Sequence, residues 1–127
     1  MVVLVVLHML RVIFYGSYKY PREVTWFSGV LLLIVTIGFG FTGYLLPWDQ
    51  KAYWATTVGT RIAGTPPLIG EWILRIVRGG EEITAVTLAR FFGVHIWVLP
   101  TILLILLGIH LYLIIRIGIS DVPRKGE

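Results

Sequence analysis

No cysteine occurs among the 127 residues, so a disulfide scaffold and a thiolate metal site are both excluded. Charge is nearly as scarce, with Asp, Glu, Lys and Arg together making 14% of the chain. Polar tracts, internal repeats and low-complexity stretches are missing, which excludes disorder and collagen. No CxxC, no glycine-rich phosphate loop and no Ser/His/Asp set is present. What fills the chain is apolar: 57% of residues are hydrophobic and the mean hydropathy is +0.84. A soluble domain of this length cannot hide that much apolar surface. The formal charge of +4 comes from 11 basic against 7 acidic residues. The basic tail has no interleaved aromatics, so no nucleic acid partner is implied. The composition is that of a membrane protein.

Residues 24–48 and 91–115 are two runs of 25 residues without Lys, Arg, Asp or Glu. Each exceeds the roughly 20 residues that a helix needs to cross a hydrocarbon core. Residues 1–15 (MVVLVVLHMLRVIFY) begin at full apolar strength and lack the basic leader and cleavage site of a signal peptide. They read as the second half of a span, and the pattern predicts that its first half lies upstream.

Between the two long runs, residues 49–90 carry 9 of the 18 charges. Within them, 51–59 reads as a short helix with Tyr53 and Trp54 suited to headgroup level. Residues 68–78 follow Pro66-Pro67 and stop at Gly79-Gly80, which predicts a surface helix with Glu71, Arg75 and Arg78 on one face. Residues 11–23 and the tail from Arg116 hold 6 basic residues, Arg124 and Lys125 among them, in 25 positions, against 5 in the 42 between the spans. That bias puts the first loop and the tail on the cytoplasmic side or its equivalent.

All three histidines, His8, His95 and His110, lie inside spans. A titratable group at membrane depth is costly and needs a reason. One reason is structural: an intramembrane histidine bridges two helices by hydrogen bonding. Their arrangement offers another. His95 and His110 are 15 residues apart, about 60° past four full turns and about 22 Å along one helix, with Pro100 between them. Because spans alternate in direction, His8 and His110 share a level and His95 sits at the other. Two imidazoles from opposing helices suit the axial positions of one iron porphyrin, a six-coordinate centre for electron transfer. His95 needs a partner that these residues do not supply.

Gly29 and Gly43 are 14 apart on the first long span, about 40° from one common face and about 21 Å apart along it. Gly29 matches His8 and His110 in depth, and Gly43 matches His95. A flat macrocycle between helices needs such gaps, although glycine also serves ordinary close helix packing. Arg11, one turn after His8, and Arg90, five residues before His95, suit haem propionates or simply snorkel to the headgroups. Tyr44, Pro47 and Trp54, with Trp48 and Tyr53, form either an interfacial belt or the wall of a pocket for a flat lipid-soluble substrate.

The text itself is recognisable. LHMLRVIFYGSYKYPREVTW, GFTGYLLPWDQKAYWA, WILRIVRGGEE, TLARFFGVHIWVLP and the following IHLYL resemble the N-terminal, haem-carrying part of the cytochrome b/b6 family. The resemblance covers essentially all 127 residues as one domain, 1–127, and the histidine spacing, PWDQ and ARFFGVH look more like the b6 branch.

That resemblance implies an all-α membrane protein, a transmembrane four-helix haem-binding bundle of which about two and a half helices are present. It implies two b haems in the complete protein, one held by His8 and His110, the other by His95 and a histidine upstream. Arg11 would lie near the cytoplasmic-side haem, Gly29 and Gly43 would be clearance glycines, and residues 43–57 would belong to the quinol-oxidation pocket. Such proteins work in dimeric membrane complexes that oxidise quinol, with a Rieske iron–sulfur protein and a c-type cytochrome. Their later half is a C-terminal cytochrome b part or a separate subunit IV, and the Pro-Glu-Trp-Tyr motif of the quinol site belongs there. The cysteine that tethers an extra c-type haem in the b6 branch belongs upstream, so that haem is undecided by these residues. The rival functions are a di-haem quinone-reactive anchor of a dehydrogenase or hydrogenase, and a haem-free structural membrane subunit.

Overall fold

The computed structural model describes residues 1–120; Arg124 and Lys125 of the basic tail lie outside them. The described residues contain helices and turns and no strand. In chain order the helices are α1 (Val2–Phe14), α2 (Glu23–Tyr44), α3 (Gln50–Ala63), α4 (Gly70–Arg78) and α5 (Ala85–Gly93). A π turn, Val94–Val98, then leads directly into α6 (Leu99–Ile117).

Two helical stretches are long and apolar enough to span: α2 with 22 residues, and the continuous run Ala85–Ile117 with 33. A core helix of a soluble protein can pass that test, but such a helix is mostly buried. Here 11% of the apolar window of α2 is buried and none of the other window. Apolar surface turned outward on this scale needs lipid, cofactor or neighbouring helices to cover it. The chain is therefore an integral membrane protein, and α1 is a further, shorter apolar helix.

The helix limits differ from the charge-free runs for local reasons. α2 stops at Tyr44, ahead of Pro47, in turns closed by Leu46 N–H to Gly43 C=O and Trp48 N–H to Leu45 C=O. Trp48 takes a left-handed φ of 54°, unusual for a bulky residue, and this reverses the chain into α3. Asp49 then caps α3, its carboxylate accepting from Ala52 N–H at 2.8 Å. α3 runs past Gly59 to Ala63, because Gly59 serves packing: a Cβ there would stand 2.5 Å from Phe41 Cε2. α4 begins at Gly70 rather than 68, and Gly79 closes it at φ 82° with its N–H on Arg75 C=O. α5 starts well before residue 91, where Thr84 and Thr87 form a reciprocal cap.

The π turn ends two residues before Pro100, which has no N–H and crowds the carbonyl four residues back, inside that turn. A wider turn relieves that crowding and adds a residue to the ladder. A count of 100° per residue therefore does not hold through His95.

Two compact units are present. One comprises Met1–Ile37 with the described residues from Thr101 onward; the other is Gly38–Pro100. In the second unit α3 packs on α4 and α4 on α5. Buried Arg78 knits these helices together. Its Nε donates to Thr60 Oγ1 at 2.8 Å, Nη1 to Glu81 C=O at 2.9 Å and Nη2 to Thr57 C=O at 3.0 Å. Its own carbonyl accepts from Thr87 Oγ1 at 2.6 Å.

Candidate haem-binding sites

In the first unit, one cleft is lined by His8 and Arg11 from α1, Thr25 and Gly29 from α2, and His110 from α6. Apolar residues carry α1 and α6 along this cleft, so each histidine is presented from a helix rather than a loop. His110 Nδ1 lies 2.8 Å from Ser28 Oγ. A Cβ on Gly29 would stand 3.3 Å from His110 Cε1, so the missing side chain admits the edge of the imidazole. Arg22 reaches from the loop before α2 to the carbonyls of Gly118 and Ile119 at 3.2 and 3.1 Å. Ser17 and Ser120 hydroxyls meet at 2.5 Å beside it, and all of these residues rim the same cleft. Arg11 itself leans over the Tyr15 ring at 5.7 Å.

Whether these residues suit an iron porphyrin can be tested on the donors. Among the described residues no group of three or more His, Cys, Asp or Glu gathers, so a bare ion has no full protein ligand set. A macrocycle brings four donors of its own and asks the protein for two. His8 and His110 in one cleft are two. Thr25 Oγ1, in the lining, is buried without a hydrogen-bond partner, an orphan that a bound group can satisfy. The site fits.

The second unit holds His95 in the π turn, where Thr42 Oγ1 lies 3.0 Å from its Nδ1. Phe39 meets the imidazole edge-on at 5.2 Å. A Cβ on Gly43 would stand only 2.8 Å from His95 Cε1. The other two histidines belong to the first unit, so His95 is the single imidazole here. Gly43, Tyr44 and Pro47 line one cleft with Phe39, Asp49 and Ala52.

Two expected site residues lie elsewhere. Trp54 is 62% exposed and joins an aromatic row, 5.3 Å from Tyr53, which is 6.4 Å from Trp48. That is the arrangement of an interfacial belt. Arg90 donates from Nη1 to Ile76 C=O at 2.5 Å and lies against Gly79, bracing α5 on α4. It lines a surface depression with Trp72 and Glu81, apart from the Gly43 cleft. Ser28, Thr42 and Phe39 were not singled out from the sequence. The available signal was a hydroxyl residue directly before each of the two matched glycines.

Comparison with known proteins accords with this geometry. Residues 1–126 match the family model described as cytochrome b (N-terminal)/b6/petB. The cytochrome b subunit of menaquinol:cytochrome c reductase from Geobacillus thermodenitrificans is 53% identical over 120 residues, covering 94% of this chain and 54% of that protein. Cytochrome b6 of Synechococcus sp. (strain JA-3-3Ab) is 42% identical over 120 residues, with 94% and 56% covered. A solved structure of a hyperthermophilic respiratory Complex III superposes with a TM-score of 0.85 at 41% identity, covering 99% of this chain and 35% of that one. The chain spans about half the length of the curated relatives it matches. With its paired-histidine cleft and its match along almost the whole length, the chain belongs to the cytochrome b N-terminal/b6 family.

Proposed function

We propose that this chain is the haem-carrying part of the cytochrome b subunit of a quinol-oxidising complex of the bc or b6f kind, in a prokaryotic cell membrane. The observation that carries the reading is the cleft in which His8 and His110 face a common space beside Gly29 and the unpartnered Thr25 hydroxyl. The Geobacillus relative is named as the cytochrome b subunit of a menaquinol:cytochrome c reductase, and the matching solved structure as a respiratory Complex III, which supports the quinol-oxidising reading.

Haem b, when bound, would supply one-electron transfer. His8 and His110 offer the two imidazoles of one such group, and His95 offers one of a second pair completed by another part of the protein. Arg11, on the cleft rim one turn after His8, offers a guanidinium to a carboxylate at the membrane surface. Tyr44 and Pro47, beside Gly43, wall a cleft suited to a flat quinol head group. The Asp49 carboxylate is held by the start of α3 and shapes that wall. The partners of this reading are a Rieske iron–sulfur protein, a c-type cytochrome and the later half of cytochrome b or subunit IV, in a dimeric complex.

A dithionite-minus-ferricyanide spectrum of the purified complex, with pyridine haemochrome quantification, tests this. Two b haems per copy of this chain are expected, and a complex without reducible b haem overturns the proposal.

A further inference from the structure

The two histidines on the Ala85–Ile117 run are held in the same way. His110 Nδ1 is 2.8 Å from Ser28 Oγ, and His95 Nδ1 is 3.0 Å from Thr42 Oγ1. Each hydroxyl residue precedes the glycine whose missing Cβ admits that ring's Cε1 edge. Cε1 lies between the two ring nitrogens, so the dipeptides Ser28-Gly29 and Thr42-Gly43 each hold an imidazole by its Nδ1 and its Cε1 edge; His110 Nε2 lies clear of Gly29, while a Cβ on Gly43 would also stand 3.5 Å from His95 Nε2.

The direction of the hydrogen bonds follows from counting protons. A hydroxyl has one. Ser28 donates it to Thr25 C=O at 2.8 Å, and Thr42 donates its own to Gly38 C=O at 2.8 Å. With those bonds kept, each oxygen accepts from the ring: the tautomer with the proton on Nδ1 and the lone pair on Nε2 satisfies both contacts at once, whereas a hydroxyl turned to Nδ1 gives up its carbonyl. The same relay occurs at Thr60, which donates to Thr56 C=O at 2.7 Å while accepting from Arg78 Nε. Arginine has no acceptor, so there the direction is beyond choice. Back-bonding to a carbonyl one turn earlier is common for Ser and Thr in helices, as at Thr36 and Thr57. At Ser28 and Thr42 the oxygen takes an imidazole as well.

We infer that Ser28 and Thr42 are positioning residues that hold His110 and His95 in the Nδ1–H form, with Nε2 presented as an axial ligand, and thereby tune the two haems separately. The inference rests on the haem-ligand reading above. A hydrogen bond accepted from Nδ1–H makes Nε2 a stronger donor and favours the oxidised iron. Losing the hydroxyl therefore raises the midpoint potential of the haem that its histidine serves.

The test is a redox titration of the purified complex, read at the b-haem absorption band, with low-spin haem EPR signals as a second readout. Ser28→Ala is expected to raise the potential and shift the EPR signal of the His110 haem alone. Thr42→Val, which keeps the side-chain shape, should do the same for the His95 haem alone, whereas Ser28→Thr and Thr42→Ser should restore both. Unmoved potentials with both haems retained overturn the inference, as does an equal shift of both haems from one substitution. Where Ser28→Ala or Thr42→Val loses its haem outright, retention in the hydroxyl-preserving partner supports the inference, and loss in that partner as well overturns it. A wild-type complex without b haem defeats the underlying haem reading instead, before any variant is compared.

Discussion

The imidazole of His95 occupies the space that a side chain at position 43 would need: a Cβ on Gly43 would stand 2.8 Å from its Cε1. The corresponding distance from Gly29 to His110 Cε1 is 3.3 Å, tight but tolerable with a small shift. Both histidines are thus seated against bare backbone, and the two seats differ in how much slack they have.

An order of severity follows. Gly43→Ala must displace the His95 ring from its hydroxyl partner, so the haem at that site should be lost or its absorption band broadened and shifted. Gly29→Ala should leave the His110 haem bound, with a small change in potential. Reduced-minus-oxidised spectra of the two variants check the order, and equal effects would contradict it.

Arg78 is 5% exposed and spends its guanidinium on Thr60, Thr57 and Glu81. Arg78→Leu leaves those acceptors without a donor and should cost about 2–4 kcal/mol. Lysine keeps the charge but not the fork, so Arg78→Lys should fall between. Thermal unfolding of the purified complex checks both. The haem spectra of the folded fraction should be unchanged, because Arg78 lines neither the His8/His110 cleft nor the Gly43 cleft.

Asp49 caps α3 from the turn that follows α2. Asp49→Ala should destabilise the start of α3 by about 1 kcal/mol, and Asp49→Asn by much less. Hydrogen exchange at Ala52 reports this directly, with faster exchange expected in the alanine variant alone.

Much of this architecture was legible in the residues. Runs without charge marked the two spans because lipid tolerates no unpaired charge, and the histidines stood out for the same reason. What the runs could not mark was where helices begin. α5 starts at Ala85 because Thr84 caps it, ahead of the apolar run and with Arg90 inside it. Arg90 looked like a haem-side cation by spacing, yet spacing along one helix says nothing about α4, which offers it the Ile76 carbonyl. Trp54 faces outward for a similar reason: α3 packs through Ala52, Thr56 and Thr60, and Trp54 falls on the other face. Ser28 and Thr42 were hidden because a helical hydroxyl usually satisfies itself on its own backbone. Only the packed rings of His110 and His95 separate these two from Thr36 or Thr57. Pro100 was visible, but its relief through a π turn at His95 depends on local crowding that no spacing reveals.

On the proposed function, this chain supplies both imidazoles of one haem and one imidazole of another. His110→Ala, purified in the complete complex and assayed by pyridine haemochrome with a reduced-minus-oxidised spectrum, tests it most directly. The b-haem content should fall from two to one per copy of the chain, with the remaining haem spectrally intact. Retention of both haems would contradict the account.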